Sequence, residues 1–86
     1  EGGHDAMEGQ GTYEFASGAT YTGGFKANKF DGEGNYEFAD GASYKGGWRE
    51  NKMHGKGVYI DTDKVRWKGQ YHNGKFFNGK SFVMLR

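Results

Sequence analysis

The residues that could do chemistry in this chain are few, and their spacing argues against most of it. His4, His54 and His72 could carry protons or hold a metal. A zinc site needs three or four donors held together. Cysteine is absent, which removes thiolate ligands and disulfides. His54 and His72 stand 18 positions apart, and the strand pattern described below puts them on opposite sides of a strand pair. The expectation is solvated histidines and no metal. Asp61-Thr62-Asp63 opens like a calcium loop, but the later ligands and the bidentate Glu of an EF-hand are missing. Gly32-Glu33-Gly34 and Gly55-Lys56-Gly57 resemble phosphate loops only superficially. They run into strand-like sequence rather than a helix, and no GxxxxGK[ST] pattern exists. Ser17, Ser43 and Ser81 have no His–Asp arrangement near them in sequence. No catalytic constellation and no cofactor are therefore expected, and the chain reads as a non-enzyme.

Charge offers one further candidate. Lys29, Lys52 and Lys75 recur at a step of 23 and should line one edge of whatever the chain folds into. Such a row could touch anionic headgroups, each lysine adding about 1 kcal/mol near a membrane. Asp31, Asp40 and Glu50 lie close by in sequence, so a charged edge that blocks sheet-to-sheet pairing is the better reading. The net charge of +1 is not the footprint of a general nucleic-acid binder. No apolar run reaches the length of about 18 residues that a membrane-spanning helix needs, and no secretory apolar segment opens the chain. Together with the missing cysteine, this fits a cytoplasmic location.

The elements behind these residues follow from an internal repeat. YTGGFKANKFDGEGNYEFADGAS (21–43) aligns without gaps on YKGGWRENKMHGKGVYIDTDKVR (44–66), and WKGQYHNGKFFNGKSFVMLR (67–86) continues the series. Tyr21, Tyr44 and Trp67 share a column. So do Gly23, Gly46 and Gly69; Phe25, Trp48 and Tyr71; and Phe30, Met53 and Phe76. MEGQGTYEFASGAT (7–20) is the second half of a preceding unit. EGGHDA (1–6) looks unlike the rest and is expected to be a leader or a disordered N-terminus. Glycine supplies 17 of the 86 residues, a level often seen in disordered chain. Seven Phe, six Tyr and two Trp argue against disorder.

Within each unit the apolar period is two, which is strand patterning. Asp40-Gly41 suits a tight reversal, while KANKFD (26–31) reads as a longer loop whose Phe30 could tuck back. The expected fold is all-β: a single-layer, twisted antiparallel meander of about seven short strands. If Phe38 faces Tyr44 across the ADGAS loop, then Tyr36 faces Gly46 and Gly34 faces Trp48. Rings would then tend to cover a glycine on the neighbouring strand, and the opposite face, with Glu33, Asn35, Glu37, Lys45, Lys56, Lys68 and Gln70, would be mostly solvated.

YxGxW, a loop, then GxGxYxFxDG at this spacing resembles the MORN repeat family over residues 7–86. The motif weakens toward the C-terminus, where Asp63-Lys64 replaces the turn Asp-Gly and Asn78-Gly79-Lys80 replaces the paired glycines. The resemblance implies adaptors in cytoskeletal, ciliary or flagellar and sperm-related assemblies. One sheet layer leaves an apolar face uncovered, and here that face carries Phe15, Tyr21, Phe25, Tyr36, Phe38, Tyr44, Trp48, Tyr59, Trp67 and Tyr71. These rings are the expected binding surface for an amphipathic helix or extended peptide of a larger protein. Replacing Tyr44 and Trp48 by alanine is expected to abolish capture while the sheet still forms. The alternatives are phospholipid binding through Lys29, Lys52 and Lys75, and strand addition at the apolar tail SFVMLR (81–86).

Overall fold

The computed structural model describes residues 7–86. Residues 1–6, expected to be a leader or a disordered N-terminus, lie outside the described residues, and His4 with them. Eight strands follow in order: β1 Gly9–Glu14, β2 Thr20–Lys26, β3 Lys29–Glu37, β4 Ser43–Arg49, β5 Lys52–Ile60, β6 Arg66–His72, β7 Lys75–Phe77 and β8 Phe82–Val83. Each pairs antiparallel with the next, giving one open sheet in sequence order. Its extents are 47 × 24 × 16 Å, the proportions of a single layer. The one strand beyond the expected seven is the two-residue β8, contributed by the tail.

The two kinds of connection exchange the roles expected of them. Lys26 pairs directly with Lys29, so KANKFD is a two-residue hairpin turn and Lys29 onward is already strand. Ala27 and Asn28 both have positive φ (50° and 69°), as do Glu50 and Asn51 (48° and 71°) and Asn73 and Gly74 (50° and 84°). That backbone matches the twist of the flanking strands. Left-handed backbone is unfavourable at Ala27 and Glu50, and contacts one unit back hold it in place. Met7 N donates to Asn28 Oδ1 (2.7 Å) and Asn28 N to Met7 O (3.2 Å). One repeat on, Phe30 N donates to Asn51 Oδ1 (2.8 Å) and Asn51 N to Phe30 O (3.1 Å).

The Asp-Gly segments form the wider loops. Phe38 N donates to Ala42 O (2.8 Å) and Gly41 N to Phe38 O (3.0 Å), while Asp40 Oδ1 accepts from Ala42 N (3.1 Å). Phe38 thus belongs to the loop, and Glu37 opposite Ser43 becomes the first pair. This shifts the register by two from the expected one. Tyr36 faces Tyr44, Gly34 faces Gly46 and Gly32 faces Trp48. The same correction applies at both flanking loops, where Tyr13 faces Tyr21 and Tyr59 faces Trp67.

Glycine therefore pairs with glycine. Gly11, Gly23, Gly34, Gly46, Gly57 and Gly69 form a continuous line across six strands. The line is a trough, and rings fill it diagonally. A Cβ at Gly34 would run into the Tyr21 ring and one at Gly57 into the Tyr44 ring. Tyr21 and Tyr44 are 0% exposed, and their hydroxyls donate to the carbonyls of Gly24 (2.8 Å) and Gly47 (3.1 Å). Ring over glycine holds, but through the diagonal neighbour rather than the directly opposed one. The core extends through Phe25, Phe30, Trp48, Tyr59 and Tyr71. Tyr21 stacks on Phe30 at 3.8 Å between centroids, so Phe30 is a core residue of β3 rather than a tucked loop residue.

Candidate protein-binding groove

Six of the ten rings read as the binding face are buried: Tyr21, Phe25, Tyr44, Trp48, Tyr59 and Tyr71. Phe15, Tyr36, Phe38 and Trp67 are half-buried and pack around them. Strand positions put Tyr21, Phe25, Tyr36, Tyr44, Trp48, Tyr59, Trp67 and Tyr71 in or against one core, while Phe15 and Phe38 pack against it from the loops. How deep each ring lies depends on what leans over it from the next strand.

Above the buried layer runs a groove of about 770 Å³. Met7, Tyr13, Phe15, Phe25, Phe30, Tyr36, Phe38, Trp48 and Met53 supply its apolar wall, with Asn28, Asn51, Lys52 and Gly74 at the hairpin-turn end and Arg86 beside Phe38. Phe15, Phe25, Tyr36, Phe38 and Trp48 are thus brought together as expected residues of one surface. Tyr21 and Tyr44 are its floor supports, so Tyr44→Ala would hollow the core and not merely strip the face. Trp67 lies apart from the groove, its indole Nε1 donating to Asp61 Oδ2 (3.1 Å). Sequence reasoning missed Tyr13, which is 46% exposed, together with Met7, Phe30 and Met53. The column of Phe30 and Met53 was visible at the 23-residue step. Taking their segments for loops hid its meaning.

The floor is built from neutral phenols. Burial, with the charge of Asp31 behind it, pushes Tyr21 up to about 12. Burial likewise pushes Tyr71 up to about 12 and raises Tyr44 and Tyr36. Tyr71 Oη donates to Trp67 O and accepts from Tyr59 N. Two carboxylates at the loop ends are held below the usual range. Asp40 is lowered first by the Ala42 amide and then by Arg86, and Asp61 first by the Trp67 indole and then by the Val65 amide.

The 23-residue hairpin unit, with Tyr seated over glycine, is thereby fixed in both sequence and geometry. The sequence pattern of the MORN repeat matches residues 4–20, 21–43 and 44–66. The chain belongs to the MORN repeat family. MORN repeats are generally protein- or membrane-binding modules, and the family is a binding-repeat family, generally non-catalytic. No curated protein matches the chain.

Lys29, Lys52 and Lys75 are exposed, each directly after a hairpin turn and so at one end of the strands. Their ladder partners are Lys26, Arg49 and His72, which makes this end of the sheet more basic than the lysines alone suggested. His54 and His72 are not on opposite sides of a strand pair. They face each other at the end of the β5–β6 ladder, with ring centroids 5.3 Å apart. Gly55 opposite Tyr71 sets that register. No cluster of three or more His, Asp or Glu that could hold a metal occurs among the described residues. The tail does supply an edge strand at Phe82–Val83, after which Leu85 returns to pack against the core.

Proposed function

We propose that this chain is a non-catalytic MORN adaptor or scaffold that holds a helical or extended segment of a larger protein in its aromatic groove. The observation that carries this reading is a groove of about 770 Å³ with an apolar wall, left uncovered by a one-layer sheet. Protein segments of amphipathic character fit such a groove by laying an apolar face into it. Cytoplasmic cytoskeletal, ciliary or sperm-related assemblies are the proposed setting. The likeness of the sequence, YIDTDKVRWKGQYH (59–72) included, to the short MORN-repeat-containing protein two of animals and ciliated protists supports it.

The test uses the wall and spares the floor. Tyr13→Ala with Met53→Ala keeps Tyr21 and Tyr44 in place, and circular dichroism is expected to show an intact sheet. Affinity capture from ciliated or testis cells, side by side with the unaltered chain, is expected to lose the partner. Equal recovery by the folded double variant would sink the groove reading.

A second reading is favoured by one observation. Lys26 opposite Lys29 and Arg49 opposite Lys52 place four cations at one end of the sheet, an arrangement that calls for an anionic neighbour beyond Glu8, which accepts from Ala27 N, and Glu50 in the next turn. Anionic phospholipid would supply one. Salt-sensitive binding to phosphatidylserine vesicles, lost on replacing Lys29, Lys52 and Lys75, is the outcome this reading requires. Salt-insensitive or absent binding rejects it.

A further inference from the structure

Leu85 and Arg86, which follow β8, turn back over the ring face and make one compact set of contacts. Leu85 packs on the aromatic core. The Arg86 guanidinium lies 3.7 Å from the centroid of the Phe38 ring. Its Nη2 donates to Asp40 Oδ2 at 3.1 Å and its Nη1 to Tyr59 Oη at 2.9 Å, with Asp40 Oδ1 at 3.5 Å from Nη1. A flat cation on an aromatic face, met at two nitrogens by the two oxygens of a carboxylate, is a geometry that arginine satisfies and lysine does not.

Only one unit can build it. The position of Phe38 is held by Phe15 in the unit before and by Asp61 in the unit after; that of Asp40 is held by Ser17 and Asp63. Phe15 has Ser17 in place of the carboxylate two positions on, and Asp63 has Asp61 in place of the ring two positions before it. The contact is continuous with the groove, since Phe38 and Arg86 both line it. It is also exchangeable: the side chains of Arg86 and Asp40 are 35% and 49% exposed, and ion pairs so placed are weak.

We propose that Phe38, Asp40 and Tyr59 form an arginine-reading subsite at one end of the groove, occupied in the resting chain by Leu85 and Arg86. The partner is a protein segment that presents its own arginine beside an aliphatic side chain and displaces them. This rests on the groove reading above and adds the charge chemistry of the occupant. Leu85 and Arg86, tethered in the same chain, hold the subsite at the high local concentration of an intramolecular ligand, so segments lacking the arginine are excluded.

The test is a nuclear magnetic resonance titration of the chain carrying Leu85→Ala and Arg86→Ala. The probe is acetyl-Phe-Val-Met-Leu-Arg-amide, a copy of residues 82–86, against the same peptide ending in Gln. Shifts at Phe38, Asp40 and Tyr59 are expected, with the Gln peptide about fivefold weaker. The unaltered chain, its subsite filled, is expected to bind the Arg peptide about fivefold more weakly than the double variant. Adding Asp40→Asn keeps the Oδ1 acceptor for the Ala42 amide and is expected to reduce the Arg peptide to the level of the Gln peptide. Equal binding of the two peptides, equal binding to the unaltered chain, or no shifts at millimolar peptide overturns the proposal. Loss of partner capture in the Tyr13/Met53 variant would leave the groove reading standing even then.

Discussion

Residues 21–66 and residues 67–86 follow one plan of strand, turn and strand, yet the first stretch builds long ladders and the second a short one. β2 with β3 and β4 with β5 each pair over six positions; β6 with β7 pairs over three. Aromatic content does not explain this, because Tyr71 and Phe76 are present and pack against each other. Backbone room does. Gly24 and Gly47 sit at bulges where a Cβ would strike the carbonyl oxygens of Asp31 and His54. Gln70 holds that position in the last unit, opposes Phe77 directly and makes no bulge. The rings supply burial, and glycine decides how far two strands can run together.

The sharpest way to break this comparison is to add one carbon to the glycine line in each stretch. Gly57→Ala puts a methyl into the fully buried Tyr44 ring and is expected to cost about 3 kcal/mol or more, at the upper end of core overpacking. Gly69→Ala meets only the Phe76 ring edge, at 3.0 Å, and is expected to cost about 1 kcal/mol, since that ring lies in a looser unit. Urea midpoints of the two variants measure the gap; equal losses would mean that the line is uniformly tight and the comparison false.

A second effect is collective. Tyr21 and Tyr71 are held up to about 12, against an ordinary value near 10. Above pH 10 the unfolded chain releases these protons and the folded chain keeps them, so the unfolded state binds fewer protons and stability falls as pH rises. The stabilising contribution is complete below about pH 10 and is lost between about pH 10 and 12. Alkaline titration followed by circular dichroism should show melting that coincides with phenolate absorbance at 295 nm, a wavelength typical of tyrosinate, at roughly pH 11. A sheet intact beyond pH 12 would contradict the buried phenol floor.

The smallest expected effect lies at the join of the two stretches. Lys64 has φ 69° where Gly18 and Gly41 have 100° and 97°. Its loop is otherwise the same, with Asp61 N donating to Val65 O (3.0 Å) and Lys64 N to Asp61 O (2.9 Å). Lys64→Gly is expected to raise stability by up to about 1 kcal/mol by relieving left-handed backbone. No gain, or a loss, in thermal midpoint would show that the longer loops do not require glycine.

The fold was legible because two periods, 23 and two, stand in plain view in the residues. The strand faces were legible for the same reason, and they survived a wrong register. A slip of two keeps every side chain on its own face, whereas a slip of one would have reversed them. What failed was local. Ala27 and Glu50 do not announce a turn with two positive φ angles, because the bonds that hold it come from Met7 and Phe30, 20 or more positions away. Exposure along the groove was equally hidden, since the depth of Tyr44 is set by the room that Gly57 leaves beneath its ring. The arginine contact joins positions 40 and 86, too far apart for any motif to signal.

The clasp between successive units also has a mechanical side. Asn28 and Asn51 each fasten their turn to the previous unit with two hydrogen bonds, while Gly74, in the same column, offers only its amide to Met53 O (2.9 Å). A load applied across the ribbon therefore meets stiff joints through the first units and a single-bonded joint near the last. Stretched in a force spectrometer, the protein should peel from its C-terminal end inward, shedding β8 and β7 before the doubly fastened hairpins give way.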